Sequence, residues 1–443
     1  MKILVLTDMF PSKEDPTLGI FVQELTNAIA NKNQVVVIYP QIWNPLSIKP
    51  YKTSMSPRSV QENKNVFARS VNDEAISKEE ILRSAQNDSE QKVRDNDSKV
   101  SSEERNGNYH SQTNGIEVYR PKLFIPPKGD RLFFRTIAFF LVAFPLIKNL
   151  AKKFHFDLIH AHMACPAGFV AVLLGMILRK PVIVTAHGSD IHSFPQYFFL
   201  KHLIRFTLKR ATKIVAVSWS LKDLIMKIAG SQKNLLVIRN GTKPEKFFPM
   251  DKMKTRQMFN LPTHEKIILC ISSLTPTKGI DILLRAFADI NDGCSNLMIL
   301  GKGELELQLK TLAKDLHIEN RVFFIGSRNH DEIPLWLNAC DVLCLSSHCE
   351  GFPTVIVEAF ACGKPVVATK VGGVPEAVAN ESLGILVEPG NKEELALALH
   401  EALKKEWNHQ AIAEYGKRFS WDAIADEYLE LYKNVVSKNG MIN

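Results

Sequence analysis

The chain alternates short apolar runs with longer segments whose apolar residues recur every three or four positions. The runs lack polar alternation, which is typical of strands buried on both faces of a parallel sheet. One set lies at 3–7, 35–39, 158–161, 182–185, 214–217 and 235–238, and a second at 267–272, 297–300, 322–325, 342–345, 366–369 and 385–387. The pattern predicts an α/β protein of two Rossmann-like, doubly wound domains that bind ligands at the carboxyl ends of their strands.

A turn-rich segment at 240–244 separates the two sets of runs. We therefore predict domains at 1–242 and 243–417, followed by an amphipathic helix at 418–436. Residues 51–112 interrupt the first domain: 15 of these 62 residues are apolar, and 10 Lys or Arg residues stand beside 11 Asp or Glu residues. Such a segment buries too little apolar surface to offset its ordering entropy, so we expect a disordered polar insertion.

The overall charge and the cysteine content set expectations for the compartment. The net charge of +8 is modest for 443 residues. The start of the chain carries one lysine and a very short apolar run before Asp8, which is unlike a secretory signal. The seven cysteines form no Cys-x-x-Cys pair, which fits a reducing compartment and matches no zinc motif. We therefore expect a cytoplasmic protein without a metal site.

Two carboxylates flank a tight turn after the apolar run at 342–345. Glu350 precedes Gly351-Phe352-Pro353, a helix is predicted to begin near Thr354, and Glu358 lies in its second turn. The start of that helix supplies free N–H groups and a positive dipole end where a phosphate can bind. Carboxylates only accept hydrogen bonds, so the pair suits the hydroxyl-rich groups on either side of a phosphate, a sugar and a ribose.

The spacing Glu350-x7-Glu358 around Gly351-Phe352-Pro353 resembles the signature of the retaining glycosyltransferases of family 4, which have the GT-B fold. The resemblance extends along nearly the whole chain outside 51–112. Further matching segments lie at 19–22, 160–162, 185–190, 217–218, 240–241, 274–279, 301–304 and 372–376. It implies two domains that face each other across a cleft, with the 418–436 helix packing back onto the first.

The resemblance also implies a role for individual residues. Glu350 would hold hydroxyl groups of the donor sugar, Glu358 would hold the ribose, and Lys278 would neutralise the leaving diphosphate in place of a metal ion. His187 would lie over the donor sugar, Asp190 would lie on the acceptor side, and Gly19 would let its loop approach the diphosphate. The other donor-binding positions are Ser273, Gly351, Phe352, Pro353 and Thr354. Ser273 is a departure, because the family often has an arginine there that makes a bidentate phosphate contact.

The implied activity is transfer of a sugar, with retention of configuration, from a nucleotide-diphosphate sugar to a glycan or lipid-linked acceptor in envelope polysaccharide biosynthesis. No cofactor is expected. Two alternatives stay open: a nucleotide-sugar epimerase has the same two-domain architecture, and an inactive sugar-nucleotide-binding protein would bind the donor without turnover. A dinucleotide-dependent dehydrogenase is disfavoured because no Gly-x-Gly-x-x-Gly follows the first apolar run.

Two basic and apolar segments of the first domain indicate membrane contact. Residues 120–153 contain eight basic side chains and one acid, Asp130, around a 12-residue apolar run at 136–147. Residues 194–213 combine aromatic with basic side chains and contain no acid. The run is too short to span a bilayer, so we predict peripheral binding to the anionic inner face of the membrane. The alternative is a core helix with a solvated basic rim, and no nucleic-acid-binding motif accompanies these charges.

Overall fold

The computed structural model describes residues 1–11, 18–43, 103–105, 108–113, 116–124, 131–230, 234–290 and 292–440. Its first large sheet has the strand order β11-β10-β9-β8-β1-β2-β6-β5-β4, and β3 pairs separately with β7. The strands from β11 to β6 in that order are parallel, and β5 and β4 are antiparallel. These strands are β1 (Lys2–Thr7), β2 (Gln34–Ile38), β3 (Gln41–Trp43), β4 (Glu103–Arg105), β5 (Asn108–Thr113), β6 (Ile116–Arg120), β7 (Lys122–Phe124), β8 (Leu158–His162), β9 (Val182–Ala186), β10 (Lys213–Ala216) and β11 (Leu235–Val237).

The second large sheet is parallel throughout, with the order β14-β13-β12-β15-β16-β17. The four inner strands are buried along most of their length, because helices cover both faces, and the edge strands β14 and β17 are partly buried. The strands of this sheet are β12 (Lys266–Ile271), β13 (Ser295–Leu300), β14 (Val322–Gly326), β15 (Val342–Leu345), β16 (Val366–Thr369) and β17 (Gly384–Val387).

The helices connect these strands in the right order for two doubly wound units. Those of the first sheet are α1 (Ile20–Ala30), α2 (Arg131–Lys153), α3 (Ala167–Leu178), α4 (Ser189–His192), α5 (Phe198–Arg210) and α6 (Trp219–Ala229). The rest are α7 (Lys252–Met258), α8 (Ile280–Ala288), α9 (Glu306–Asp315), α10 (Ile333–Ala339), α11 (Thr354–Ala361), α12 (Val374–Ala377), α13 (Lys392–Lys404), α14 (His409–Gly416) and α15 (Trp421–Gly440).

Each sheet has a point where the direction of strand order reverses. In the first sheet it lies between β1 and β8, and in the second between β12 and β15. The loops that leave such neighbouring strands diverge to opposite faces of the sheet and open a crevice at the carboxyl edge. The topology therefore places one candidate binding crevice in each half of the chain.

The last helix, α15, packs on the first sheet although it follows the second in sequence. Tyr428 and Tyr432 are buried in one core cluster with Ile3, Val5 and Ile183. A buried apolar or aromatic side chain contributes about 1.5–3 kcal/mol, so this face anchors the end of the chain firmly to the first sheet.

The predicted insertion at 51–112 is too long at its C-terminal end. Residues 103–105 and 108–112 lie in β4 and β5, because an antiparallel edge pair gains main-chain hydrogen bonds without a fully apolar sequence. The rest of that prediction, at 51–102 and 106–107, lies outside the described residues.

Candidate active site

Lys278 and Glu350 meet at the crevice of the second sheet. Lys278 ends a short 3-10 turn after β12, and Glu350 follows β15. The Lys278 Nζ atom lies 2.6 Å from Glu350 Oε1, and Ser347 Oγ donates to the same oxygen at 2.7 Å. Both side chains retain some exposure, 23% for Lys278 and 9% for Glu350. The pair therefore presents positive charge and carboxylate oxygen side by side at the sheet edge.

The turn after Glu350 brings the two halves of the chain into contact. A side chain at Gly351 would overlap the carbonyl oxygen of His187, which belongs to the loop after β9 of the first sheet. Pro353 stands at the N-cap of α11, and no side chain caps that helix end, so its first N–H groups are available to a ligand. Phe352 is buried and packs 6.0 Å from the ring of Phe419.

Glu358 is hydrogen-bonded to a histidine that contacts a lysine in turn, and neither residue is included in the sequence analysis. His330, in the loop after β14, lies 2.9 Å from Glu358 Oε1 through Nε2, and Lys246 Nζ lies 3.0 Å from His330 Nδ1. Because a lysine ammonium only donates, Nδ1 accepts and the ring proton sits on Nε2, which donates to Glu358. Asp331 pairs with the same lysine at 2.6 Å. Lys246 thus fixes the tautomer that orients the Glu358 carboxylate.

His187 faces the second sheet from the first. Its Nε2 atom lies 3.0 Å from Nδ1 of His162, the last residue of β8, and its ring packs 4.6 Å from that of Phe21. Its Nδ1 atom is buried and has no hydrogen-bond partner among the described residues. Burial lowers the pKa of His187 to about 3, so the ring is neutral at physiological pH.

Asp190 is fully buried and its carboxylate is already engaged. Its Oδ1 atom accepts from the main-chain N–H groups of His187 at 3.2 Å and Gly188 at 3.0 Å, and Oδ2 accepts from that of Ala164 at 2.7 Å. Burial raises the pKa of Asp190 and these N–H groups oppose the shift. The carboxylate therefore holds the His187 loop, and the structure does not bring it to the surface of the crevice.

Gly19 and Ser273 occupy the edges of the site. Gly19 has a φ of 66°, and a side chain there would collide with the main chain of Met9, so the loop before α1 requires glycine. Ser273 is exposed, and its Oγ lies 3.4 Å from Thr275 Oγ1. It contacts neither Lys278 nor Glu350 in the hydrogen-bond network of the described residues.

The chain matches known families along most of its described length. The family model described as glycosyl transferases group 1 matches residues 251–419, and the model described as glycosyltransferase family 4 matches residues 99–246. The N-acetyl-alpha-D-glucosaminyl L-malate synthase of Bacillus anthracis is 30% identical over 304 residues, which are 66% of this chain and 79% of that protein. The chain belongs to glycosyltransferase family 4.

Solved structures show the same architecture. The sucrose-phosphate synthase of Thermosynechococcus elongatus has a TM-score of 0.70 at 20% identity, covering 99% of this chain and 100% of that one. Anabaena HepE in complex with UDP has a TM-score of 0.66 at 22% identity, covering 98% and 100%. At these identities the likeness concerns the fold, and the glycosyltransferase therefore has the predicted GT-B fold.

Glu376 of this glycosyltransferase joins the domains at a second place. Its Oε1 atom accepts from the main-chain N–H of Trp219 at 2.6 Å, at the first turn of α6, and its Oε2 lies 3.5 Å from Arg239. A carboxylate at a helix N-terminus is favoured by the free N–H groups and by the helix dipole. Glu376 therefore ties α12 of the second domain to α6 of the first.

Sequence reasoning missed several residues of the site. From the sequence we assign no role to His162, yet it contacts His187 directly. His330 and Lys246 were not singled out at all, although His330 follows a strand at the carboxyl edge, where ligand-binding residues collect. His192 also has a buried, unpartnered Nε2 among the described residues, and burial lowers its pKa while Glu350 opposes the shift.

Proposed function

We propose that this protein transfers a sugar from a nucleotide-diphosphate sugar to an acceptor, with retention of configuration and without a metal ion. The observation that carries the proposal is the Lys278–Glu350 pair, which lies beside the start of α11 and next to the loop of His187. Positive charge, free N–H groups and hydroxyl-binding oxygens are the features that a sugar diphosphate requires.

In the proposed reaction the acceptor hydroxyl oxygen attacks the anomeric carbon on the face from which the diphosphate leaves. The carbon–oxygen bond to the diphosphate breaks, and the departing phosphate oxygen takes the proton of the acceptor hydroxyl. Lys278 and the α11 N-terminus stabilise the negative charge that develops on the diphosphate. Glu350 orients sugar hydroxyls, and Glu358 binds the ribose.

His187 has a complementary part in this scheme. Its unpartnered Nδ1 is available for a hydroxyl of the donor sugar, while His162 fixes the opposite edge of the ring. A neutral imidazole suits this role, because it hydrogen-bonds to a hydroxyl without placing a positive charge beside an anomeric carbon that becomes cationic.

The acceptor side of the protein carries an apolar surface that we assign to membrane contact. Phe134, Ile137, Leu141, Tyr197, Phe198 and Phe199 are between 39% and 71% exposed. We call these six residues the aromatic patch. Phe133 lies 5.5 Å from Phe199 and so joins the two helices that carry the patch. Lys201 and Arg205 on α5 add exposed positive charge.

Helix α2 itself is longer than the apolar run that the sequence indicated. In the described part of the chain, Leu132–Lys153 is one helix long and apolar enough to cross a membrane by length and composition. Its inner face, however, is committed to the core: Thr136, Phe139, Ala143 and Ile147 are buried. We therefore propose surface attachment of the patch, which would bring the site to a lipid-linked acceptor on the cytoplasmic face of the membrane.

Two alternatives differ from this proposal in their products. A nucleotide-sugar epimerase would rearrange its donor without an acceptor. An inactive binding protein would bind the nucleotide and release no sugar, and the exposed serine at position 273 is the feature that keeps this alternative open. Analysis of the products formed with and without acceptor separates all three.

The first test is a thermal-shift panel of UDP, GDP, ADP and CMP, each with and without EDTA. The Anabaena structure contains UDP, which makes that nucleotide the natural starting point. At about 100 times its dissociation constant a ligand stabilises by roughly 2.7 kcal/mol, so one diphosphate should raise the melting temperature by several degrees.

Two lysine variants make the panel specific to the site. Lys278→Ala should abolish most of the shift, whereas Lys370→Ala, which removes a lysine from an exposed 3.1 Å pair with Glu388, should keep it. Absence of a shift with every nucleotide would refute the donor site, and a shift that EDTA removes would refute metal independence.

A further inference from the structure

Arg135 and Asp8 meet on the first domain at a contact that the proposed reaction does not use. Arg135 stands on α2 between the exposed side chains of Phe134 and Ile137, yet its Nη2 atom donates inward to the main-chain oxygen of Asp8 at 3.1 Å. Asp8 follows β1 and is 6% exposed. Arg135 Nε and Asp8 Oδ1 are both buried without a hydrogen-bond partner among the described residues.

The pair lies at the crevice of the first sheet. Thr7, which precedes Asp8, is in register with His162, and His162 contacts His187. The charge of Asp190 also contributes to the raised pKa of the Asp8 carboxyl group. Arg135 and Asp8 are therefore on the acceptor half of the site, on the helix that carries part of the aromatic patch.

The two unpartnered groups have complementary chemistry. A guanidinium group with a free Nε–H binds phosphate or carboxylate oxygens, commonly through two parallel hydrogen bonds. A carboxyl group beside it suits a hydroxyl group of the same ligand. Burial raises the pKa of Asp8 to about 6, and Arg135 opposes the shift. Near neutral pH the carboxyl group can therefore accept hydrogen bonds when it is ionised and donate one when it is protonated.

We propose that Arg135 and Asp8 form an acceptor subsite, in which Arg135 binds a phosphate group of the acceptor and Asp8 binds a neighbouring hydroxyl. The inference rests on the proposed function, because it names the chemical class of the acceptor at the same site. The phosphate could belong to a lipid headgroup or to a soluble phosphate ester.

The test uses the full chain in the presence of UDP, with glycerol 3-phosphate as the probe and glycerol as the neutral control. Glycerol 3-phosphate should raise the melting temperature of the wild-type protein, and glycerol at the same concentration should not. Arg135→Gln should weaken the binding of glycerol 3-phosphate at least tenfold. Arg179→Gln removes the same charge from an exposed position before β9, at the amino ends of the strands and away from the crevice. This variant should bind glycerol 3-phosphate like the wild type.

The conservative variant Arg135→Lys controls for misfolding, because it keeps the positive charge and loses only the planar guanidinium group. We expect it to bind glycerol 3-phosphate severalfold more weakly than the wild type. Equal affinity in the wild type and both Arg135 variants would overturn the subsite. The UDP shift, measured separately, distinguishes this failure from failure of the donor site. An Arg135-dependent preference for vesicles of phosphatidic acid over phosphatidylcholine would identify a lipid headgroup, and a soluble response without that preference would identify a soluble phosphate ester.

Discussion

Glu350 is fixed by two donors that converge on the same carboxylate oxygen. Lys278 supplies one at 2.6 Å and Ser347 the other at 2.7 Å, which leaves Oε2 as the freer oxygen. A charge-assisted hydrogen bond of this length is roughly twice as strong as a neutral one. In the proposed reaction the same contact sets the orientation of Lys278 toward the diphosphate, so one carboxylate serves both sugar and phosphate.

Glu350→Gln should therefore reduce turnover far more than stability. The amide keeps the shape but loses the ion pair with Lys278, and we expect kcat to fall by about 100-fold or more, which is the range for losing a transition-state electrostatic contact. The melting temperature should change by only a few degrees. Steady-state kinetics and thermal unfolding measure the two effects.

The matched control for this variant is Glu388→Gln, which breaks the exposed Lys370–Glu388 pair in the same domain. That variant should keep wild-type turnover. Unchanged turnover in Glu350→Gln would remove Glu350 from the mechanism.

At the level of elements, the C-terminal helix reaches the site through a buried polar chain. Tyr432 of α15 lies 2.7 Å from Nδ1 of His160, and Nε2 of His160 lies 2.8 Å from Thr185 Oγ1. The ring of His160 packs 4.3 Å from that of His162, which in turn contacts His187. Helix α15 and strands β8 and β9 are thus joined by side chains that end at the ring of His187.

This chain of histidines predicts that the protein loses stability in mild acid. Burial lowers the pKa of both His160 and His187 to about 3 and that of His162 well below its ordinary value. An unfolded histidine has a pKa near 6.5, so below about pH 6.5 the unfolded state binds more protons than the folded state. The free energy of unfolding should fall as the pH drops from 6.5 toward 3, by up to about 1.4 kcal/mol per histidine per pH unit.

Melting temperatures at pH 8, 7, 6 and 5 test the sign and the window. His160→Gln should reduce the fall of the melting temperature with decreasing pH by the contribution of one histidine. His400→Gln, at an exposed position on α13, should leave that fall unchanged. A melting temperature that is constant between pH 7 and pH 5 would contradict the argument.

On the scale of the whole molecule, the two domains are in contact at the candidate active site. Gly351 lies against the main chain of His187, and Glu376 caps α6 from across the cleft. The cleft residues therefore take their final positions only when both domains are in place. The aromatic patch lies on the first domain, so membrane contact would leave the second domain free to exchange donor and product.

Membrane attachment through the aromatic patch predicts a specific loss on substitution. Phe198→Ser removes a ring that is 71% exposed, and we expect a severalfold lower bound fraction in co-sedimentation with vesicles that contain anionic lipid. Leu397→Ser is the control, because Leu397 is also 71% exposed but lies on the second domain. Equal partitioning of the wild type to neutral and anionic vesicles would refute the proposed attraction between the basic side chains of the first domain and anionic lipid.

Much of the architecture follows from the sequence alone. Buried apolar runs between amphipathic segments indicate parallel sheets, whose carboxyl ends meet at one edge. The resemblance to glycosyltransferase family 4 assigned Lys278 and Glu350 to one site, and the two side chains are in contact across 72 positions of chain. Strand β5 escaped this reasoning, because its main-chain pairing with β6 does not require an apolar sequence.

Only the tertiary structure decided which side chains complete the site. Tyr432 meets His160 across 272 positions, and Lys246 meets His330 across 84, and no local pattern records such contacts. The same holds for Asp190: the family resemblance implies a position on the acceptor side, but the fold buries its carboxylate against three main-chain N–H groups. Periodicity determines which residues reach the sheet edge, whereas loop paths and side-chain packing determine what each of them touches there.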